Sequence, residues 1–379
     1  MTTGTTYDVI IAGGGLAGLT LSIQLVRKGY SVTLIEKERY PFHRVCGEYI
    51  SLESWDFLKR LDVDLESLNV ATIKKLQVSA ENGRMMQQPL PLGGFGISRY
   101  LLDHTLARIA RSAGVQIVEG ARVDNIVFDG DGFIVTTPAA SYRSAVVCGC
   151  LGKRSNIDVK WKRPFIIAPK NKLNNYIGIK YHVRAHFPID TIALHNFKNG
   201  YCGVVKIEDD RYCLCYMTIA GNLQQADGDI HKMEQSILSR NPYLKKILKN
   251  CERVFDTPVT ISQISFDKKK QVENHVLMIG DSAGMITPLC GNGMSMAMHG
   301  GKIAAEQVVL FLEKKITREE MEKGYERQWQ KQFAARLRTG RHIQRLISNP
   351  VMTNIFITLA SPFPGLLRWM IRKTHGQPF

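Results

Sequence analysis

The chain has 379 residues, of which 44% are hydrophobic and 22% charged. This is the composition of a soluble globular protein, and the length excludes a single small domain in favour of two domains or one interrupted domain. The formal net charge is +16, and the segment from Arg327 to Phe379 holds nine Lys or Arg and no Asp or Glu. Such a tail can contact anionic lipid, nucleic acid or an acidic partner, or it can be only a solvated basic face.

Eight cysteines are spread along the chain. The first strand pattern begins within the first ten residues and no basic segment precedes it, so no signal peptide is predicted. We therefore expect a cytoplasmic protein with free thiols. The cysteine spacings lack the pattern of zinc ligands, so no metal is expected. No apolar run reaches the ~18–20 residues of a membrane-spanning helix.

The first organised unit is a glycine-rich turn between a strand and a helix. An apolar run over residues 9–12 precedes Gly13, Gly15 and Gly18, an apolar helical pattern follows, and a second β-branched run ends on Glu36. Strand, turn, helix, strand and acid in this order form the dinucleotide-binding unit. The glycines admit a pyrophosphate at the helix N-terminus, and Glu36 can accept both ribose hydroxyls. A plain βαβ turn is the alternative.

A mixed-polarity loop follows, with Arg44, Cys46, Gly47 and Glu48 in the order Arg-x-Cys-Gly-Glu. Together with the glycine unit and the acid that ends the second strand, this loop resembles flavoproteins of the para-hydroxybenzoate-hydroxylase fold. The nearest resemblance is to the geranylgeranyl-reductase-like branch and related flavin monooxygenases. It implies that Arg44 contacts FAD and that Cys46 and Gly47 lie near the isoalloxazine ring.

Three further segments extend the resemblance. Ser98 is a suitable N-cap of a helix, and Arg99 fits the family's FAD-contacting arginine, with a surface arginine as the alternative. Val123 lies at the bend that the family places against the adenine. The turn after residues 145–150 resembles the family's second fingerprint, but Leu151 replaces its aspartate. That departure weakens the case for direct NAD(P)H binding, so NAD(P)H is only one possible electron donor.

The most specific signal after the glycine turn lies at residues 276–294. A buried strand pattern runs into Gly280 and Asp281, and a glycine-rich turn then opens a helix that continues to about Leu312. An aspartate at a strand end can bond ribityl hydroxyls, and N–H groups at a helix N-terminus can bind an anion. The resemblance implies that this anion is the N1/C2 edge of reduced flavin. A helix cap without a ligand is the alternative.

Residues 72–97 and 175–220 carry alternating patterns typical of antiparallel strands, which we expect to form the sheet of a substrate domain. In prenyl reductases of the family one such strand carries the signature Tyr-x-Trp-x-Phe-Pro. The matching stretch here keeps only its tyrosine, Tyr201. Tyr201 is therefore the candidate substrate-pocket residue, and the pocket is expected to differ from one that holds a long prenyl chain.

The predicted fold class is α/β, with a Rossmann-type FAD-binding domain interrupted by a mixed or antiparallel sheet and followed by C-terminal helices. The FAD-binding domain is predicted over residues 1–71, 98–165 and 255–312. The substrate sheet is predicted over 72–97 and 166–254, and the C-terminal helices over 313–379. In the tail, an apolar stretch at residues 351–370 ends beside basic residues. It can lie in a membrane interface or cap the substrate domain.

The predicted FAD-binding residues come from all of these motifs. They are Gly13, Gly15, Leu16, Ala17, Gly18, Glu36, Lys37, Arg44, Cys46, Gly47, Arg99, Val123, Gly280, Asp281, Pro288, Gly291, Asn292, Gly293 and Met294. The catalytic candidate is Cys46, as a proton donor or as a gate of the flavin face. A buried structural thiol is the alternative for this residue.

In this prediction FAD carries the redox chemistry and the protein orients the substrate. The leading interpretation is a monooxygenase that hydroxylates an apolar aromatic or polyketide-like substrate, followed closely by a reductase of C=C bonds in prenyl or lipid substrates. A flavin-binding module without turnover and a nucleic-acid binder are further alternatives. The expected partners are a small apolar substrate and a membrane surface at the basic tail, with no nucleic acid and the oligomeric state left open.

Overall fold

The computed structural model describes residues 5–167, 175–287, 291–347, 350–360, 365 and 376–379. The predicted contact at Pro288 and most of the tail beyond residue 360 lie outside the described residues.

The strands of the first half of the chain are β1 (Thr5–Ala12), β2 (Val32–Glu36), β3 (Tyr49–Ser51), β4 (Ala71–Ser79), β5 (Met85–Gly96), β6 (Gln116–Glu119), β7 (Asn125–Phe128), β8 (Phe133–Thr136) and β9 (Ser141–Gly149). Those of the second half are β10 (Tyr176–Arg184), β11 (Thr191–Phe197), β12 (Gly200–Lys206), β13 (Tyr212–Ile219), β14 (Glu252–Arg253), β15 (Val259–Ile264), β16 (Val272–Glu273) and β17 (Val276–Met278).

The helices are α1 (Leu16–Val26), α2 (Trp55–Arg60), α3 (Arg99–Ser112), α4 (Asn156–Lys160), α5 (Pro164–Ile167), α6 (Ala220–Gln224), α7 (Ile230–Ser236), α8 (Pro242–Asn250), α9 (Gly293–Leu312), α10 (Arg318–Ile347) and α11 (Pro350–Ala360). In the described part of the chain no helix is long and apolar enough to cross a membrane. The same part holds no group of three or more His, Cys, Asp or Glu placed to bind a metal ion.

The first sheet has the strand order β16-β17-β9-β1-β2-β6, and the hairpin β7-β8 joins it at β9. Strand β1 lies between β2 and β9 and runs parallel to both. Its residues Val9, Ile10 and Ile11 are fully buried, as expected for an apolar run inside a parallel sheet. Because β1, β2, β9 and β17 are parallel, their carboxyl ends meet at one edge, where α/β sheets bind ligands.

The second sheet has the order β14-β10-β13-β12-β11-β4-β5-β3, with β15 paired to β10. Its outer face carries Tyr181, Leu214 and Tyr216, which pack on Met233 and Leu238 of the α7–α8 segment. We call the opposite side the inner face. It carries the alternate residues of β10 and β13 and lies against the loop at residues 44–48.

The C-terminal helix α10 packs on the first sheet through a stripe of large side chains. Trp329, Phe333 and Leu337 recur at helical spacing and are buried, and the Tyr325 hydroxyl donates to the Met278 carbonyl at 2.7 Å. Helix α9 packs on α1 at close range, because a Cβ on Gly301 would lie 3.1 Å from the carbonyl oxygen of Ala17. These contacts fix α9 over the carboxyl edge of the first sheet.

Two strands belong to the second sheet although they fall in segments predicted for the FAD-binding domain. β3 pairs with β5, and β15 pairs with β10. The boundaries themselves stay a prediction. Helices α7 and α8 are separated at Asn241, whose side chain caps α8 by accepting from the N–H groups of Tyr243 and Leu244.

Candidate functional site

The glycine turn lies between β1 and α1, at the carboxyl edge of the first sheet. Gly13 has φ +109°, and a Cβ there would clash with the carbonyl oxygen of Cys150. A Cβ on Gly18 would clash with the carbonyl oxygen of Gly13, so only glycine lets α1 approach the turn. Leu16 and Ala17 are buried in the first turn of α1, and the N-terminus of this helix faces the site.

Glu36 ends β2 and closes one side of the turn. Its buried carboxylate accepts the Gly14 N–H at 2.8 Å and the Glu38 N–H at 3.1 Å. The Tyr40 hydroxyl donates to the Gly14 carbonyl. These bonds fix the carboxylate beside the glycine turn, the place where the dinucleotide-binding fold has its ribose-binding acid.

Two arginines, Arg44 and Arg99, lie beside this turn, and both pair with the carboxylate of Asp103 in α3. Arg44 places Nη2 2.9 Å from Glu36 Oε2 and Nε 3.3 Å from Asp103 Oδ2. Arg99 binds the same carboxylate with two parallel bonds, at 2.7 and 2.8 Å. Its side chain is only 12% exposed, so Arg99 is not a surface arginine. Burial opposes the charge, yet Asp103 raises the pKa of Arg99 above its ordinary value, which keeps the guanidinium charged.

These residues fit a dinucleotide phosphate. The Nη2 atom of Arg99 lies 3.6 Å from the position that a Cβ would take on Gly15, so a guanidinium faces the part of the turn that carries no side chain. Guanidinium groups and free N–H groups of a helix N-terminus are the donors that bind pyrophosphate. The arrangement therefore supports FAD binding by Gly13, Gly15, Glu36, Arg44 and Arg99.

The loop at residues 44–47 is held by three carbonyl contacts from other parts of the chain. Lys180 Nζ donates to the Arg44 carbonyl at 3.1 Å, and Lys153 Nζ donates to the Val45 carbonyl at 3.2 Å. The Cys213 thiol contacts the Cys46 carbonyl at 3.3 Å. The loop is thereby attached at three consecutive residues to the second sheet and to the turn that follows β9.

The same loop brings Cys46 to the start of α9. Cys46 is partly exposed, and its Sγ atom lies 3.5 Å from Sδ of Met294. Gly291 has φ +66°, and a Cβ there would lie 2.9 Å from the ring of Tyr49, which explains the need for glycine. The helix begins after Asn292, and the predicted binding of an anion by its N-terminal N–H groups stays a prediction.

Gly280 and Asp281 form a turn directly after β17. Gly280 has φ +70°, and Asp281 lines the same small cavity as Gly293. The Asp281 carbonyl accepts Lys269 Nζ at 2.7 Å, and the Lys153 carbonyl accepts the same ammonium group at 3.0 Å. Burial lowers the pKa of Lys269 to about 8. Lys269 thus holds the ends of β9 and β17 together.

The other predicted residues are placed as follows. Lys37 is exposed and pairs with Glu38 at 3.5 Å, and its predicted cofactor contact stays a prediction. Val123 is buried and its carbonyl accepts Asn156 Nδ2 at 2.9 Å. Tyr201 lies on the inner face of the second sheet in a cluster with Met217 and Met285, and Gly47 is exposed beside Cys46.

Sequence reasoning missed Asp103 and the polar group of Glu48, Lys180 and His182. The sequence of β10 does carry a signal for two of them. Lys180 and His182 alternate with the apolar residues of a strand that is buried on both faces, and polar residues in such a strand demand partners. For Asp103 the available signal is its position four residues after Arg99, the spacing of an ion pair on one helix face.

Comparisons with known proteins agree with this geometry. A family model described as "FAD binding domain" matches residues 6–185. This chain is an FAD-dependent oxidoreductase. The oxidoreductase is 24% identical to conditioned medium factor receptor 1 of Dictyostelium discoideum, over 86% of this chain and 68% of that protein. It is 25% identical to digeranylgeranylglycerophospholipid reductase of Methanococcus vannielii, over 85% and 82%.

Among solved structures, the flavin-dependent brominase Bmp2 superposes with a TM-score of 0.79 at 21% identity, over 98% of this chain and 93% of that one. The oxidoreductase therefore has the fold that the motifs predicted, with a parallel sheet that binds the cofactor and a second, larger sheet.

Proposed function

We propose that this oxidoreductase is a monooxygenase that hydroxylates an apolar aromatic or polyketide-like substrate. The observation that carries the proposal is a partly accessible area at the centre of the inner face, on the same side as Cys46. Gly203 of β12 and Cys215 of β13 are direct cross-strand neighbours, and both are partly exposed. We call this pair the sheet floor.

Most residues around the sheet floor are apolar and buried, and Lys180, the cross-strand neighbour of Cys215 on β10, is the charged exception. The cross-strand pairs on either side are Tyr201 with Met217, and Val205 with Cys213. A Cβ on Gly203 would meet its neighbours only at 3.6 and 3.9 Å, so the missing side chain leaves space above the sheet. An apolar wall with few polar groups suits a flat, apolar substrate.

When bound, FAD supplies the redox chemistry. The residues described above provide its phosphate and ribose contacts, and the start of α9 provides N–H groups for a developing negative charge. The fold that the chain shares with the flavin-dependent brominase Bmp2 is in keeping with flavin chemistry at this site. The electron donor stays open, and NADH and NADPH are the first to test.

A second candidate is a reductase of C=C bonds in a prenyl or lipid substrate. The observation that favours it is the Cys46 thiol, which is partly exposed where the loop meets α9 and could donate a proton. The Methanococcus relative, a digeranylgeranylglycerophospholipid reductase, also supports the reductase candidate.

One experiment separates the two candidates. The FAD-loaded protein is reduced without oxygen and mixed with air-saturated buffer in a stopped-flow instrument. A transient absorbance signal that belongs neither to reduced nor to oxidised flavin would support the monooxygenase. Slow reoxidation without a transient would favour the reductase, and unsaturated lipids would then be screened. If the purified protein holds no FAD and takes up none, both proposals fail.

We also propose that α11 contacts an anionic membrane surface. Met352, Ile355 and Leu359 recur at helical spacing and are 46%, 46% and 64% exposed, and the helix carries no charged residue. The nine basic and no acidic residues from Arg327 to Phe379 supply the opposite charge for anionic lipid. Apolar side chains beside basic residues are the pattern of an interfacial helix.

A further inference from the structure

Glu48, Lys180 and His182 form a buried ionic group between the two sheets. Lys180 Nζ donates to Glu48 Oε1, and His182 Nε2 donates to Glu48 Oε2 at 2.7 Å, because a carboxylate can only accept. None of the three side chains is more than 1% exposed. Burial would raise the pKa of Glu48, but Lys180 and His182 lower it to about 2, so the carboxylate is charged at neutral pH.

Glu48 itself is held in an unfavourable backbone conformation. Its φ is +55°, in the left-handed region that residues other than glycine seldom adopt. The Glu48 carbonyl accepts the Ile97 N–H at 3.1 Å, so the residue is fixed by its main chain as well as by its side chain. Such strain persists only where the surrounding structure compensates for it, and it is concentrated at functional sites.

The group contacts both segments that carry the FAD-binding arginines. Glu48 Oε1 accepts the N–H of Arg99, the first residue of α3, at 2.8 Å. Lys180 Nζ donates to the Arg44 carbonyl at 3.1 Å, in the loop that leads to Cys46. One buried carboxylate therefore fixes the main chain of Arg99 directly, and it fixes that of Arg44 through Lys180.

Stability alone does not account for the group. Removing a lysine and a glutamate from water carries a desolvation penalty that the attraction between them only roughly offsets. His182 adds to this penalty, because its Nδ1 atom is buried and has no hydrogen-bond partner among the described residues. An apolar contact could join the two sheets without this penalty, but it could not hold main-chain groups at Arg44 and Arg99 by directed bonds.

We propose that Glu48 is a positioning residue of the cofactor site, with Lys180 as its partner. It holds the main chain of Arg44 and Arg99 where both guanidinium groups can bind FAD. The proposal rests on the proposed function for the presence of FAD, and it holds whether the flavin hydroxylates or reduces. Lys180 is also the cross-strand neighbour of Cys215, so the same pair links the cofactor arginines to the sheet floor.

The test measures the affinity of the whole chain, freed of FAD, for added FAD by the quenching of FAD fluorescence. Glu48→Gln keeps the size of the side chain but removes the charge that pairs with Lys180. We expect this variant to bind FAD at least about tenfold more weakly, because small displacements of groups that hold a ligand have effects of this size. The visible circular dichroism of FAD at saturation should also change, since the loop at residues 44–47 is expected beside the flavin ring.

The matched control is Glu234→Gln in α7, on the outer face of the second sheet. The Glu234 side chain is only 4% exposed, and it accepts from Arg253 Nη2 and from the Tyr216 hydroxyl, both at 2.8 Å. Urea unfolding measures the loss of stability in each variant. Glu234→Gln should leave the affinity for FAD and the dichroism unchanged, whereas a purely structural role of Glu48 predicts that the two variants affect FAD alike.

A second variant decides the matter if Glu48→Gln does not fold. Glu48→Gln/Lys180→Met leaves no unpaired lysine, and replacement of a buried ion pair by uncharged groups is often tolerated. This double variant should bind FAD more weakly than the wild type, but by less than the product of the losses in the two single variants. Wild-type affinity in the double variant, or losses that simply multiply, overturns the proposal.

The outcomes separate this proposal from the proposed function. Wild-type protein that binds no FAD overturns the proposed function together with the role of Glu48. Wild-type protein that binds FAD, with equal affinity in Glu48→Gln, overturns the role of Glu48 alone.

Discussion

At the scale of single residues, the site depends on glycines, because the side chains that they lack leave space beside the backbone. Gly13, Gly15 and Gly18 leave room where any side chain would meet a carbonyl oxygen or the incoming phosphate. Gly203 leaves room on the opposite side, above the second sheet. The charged residues Glu36, Arg44 and Arg99 then surround the first of these spaces, and the apolar sheet floor bounds the second.

Gly13→Ala should abolish FAD binding. The substitution adds about 1–2 kcal/mol of backbone strain at a positive φ and a clash with the Cys150 carbonyl. Flavin absorbance of the purified protein measures the bound FAD. Gly29→Ala is the matched control, because Gly29 has φ +88° and a Cβ there would contact nothing within 4 Å. Equal FAD content in the two variants would contradict the assigned turn.

Gly203→Val should lower turnover of an apolar substrate by about 10–100-fold without reducing bound FAD. The added side chain fills the space above the sheet floor, and loss of substrate positioning has effects of this size. Gly203→Ala should have a smaller effect, so the pair forms a size series. A valine variant that turns over substrate at the wild-type rate would show that the substrate binds elsewhere.

At the scale of elements, the site is made where separate elements meet. The loop at residues 44–48 lies between the carboxyl edge of the first sheet, the inner face of the second sheet and the start of α9. Three side chains bond to its consecutive carbonyls: Lys153 from the turn after β9, Lys180 from β10 and Cys213 from β13. The position of Cys46 is therefore determined by three elements that are distant in the sequence.

The double variant Ile355→Glu/Leu359→Glu should weaken binding of the protein to anionic vesicles by about tenfold or more, because burying even half of one such side chain is worth about 1 kcal/mol. Sedimentation with anionic and with zwitterionic vesicles measures the binding. Val127→Glu on β7 is the control, since Val127 is 46% exposed and remote in the sequence. Wild-type protein that does not sediment with anionic vesicles would refute the proposed contact between α11 and the membrane.

At the scale of the whole molecule, two sheets share one site, and buried polar groups join the segments that hold it. His195 of β11 is one such group. Its Nδ1 lies 2.8 Å from Ser79 Oγ, and Asn241 at the start of α8 donates to the same hydroxyl at 2.8 Å. Tyr243 stacks on the His195 ring at 5.4 Å. Strand β4, strand β11 and helix α8 are joined at this point.

Burial lowers the pKa of His195 from 6.5 to about 4, which makes stability depend on pH. Between these values the unfolded chain binds a proton that the folded chain does not, so stability should fall as pH falls from about 6.5 to about 4. The loss amounts to about 3 kcal/mol for a shift of this size. His195→Gln should flatten this part of the curve, as measured by urea unfolding at several pH values. An unchanged slope would show that other groups cause it.

Much of the cofactor site could be predicted from the sequence, because its motifs are local. Each of its main parts lies in a short segment whose residue pattern indicates what it binds. These parts are the turn at Gly13, the acid Glu36, Arg44 and the start of α9. The residues that support them could not be predicted in this way. Asp103, Lys180 and Lys153 contact the loop at residues 44–45 from about sixty to more than a hundred positions away, and no local pattern in the chain links them to that loop.

By itself the sequence determined the type of fold and the cofactor, since glycine spacing, strand runs and helix starts act over a few neighbouring residues. The tertiary structure alone decided what lies opposite the cofactor. The pairing of β12 with β13 placed Gly203 beside Cys215, and the packing of β10 on the loop buried Glu48 with Lys180 and His182. Such neighbours arise from the arrangement of distant strands, so they are present only in the folded chain.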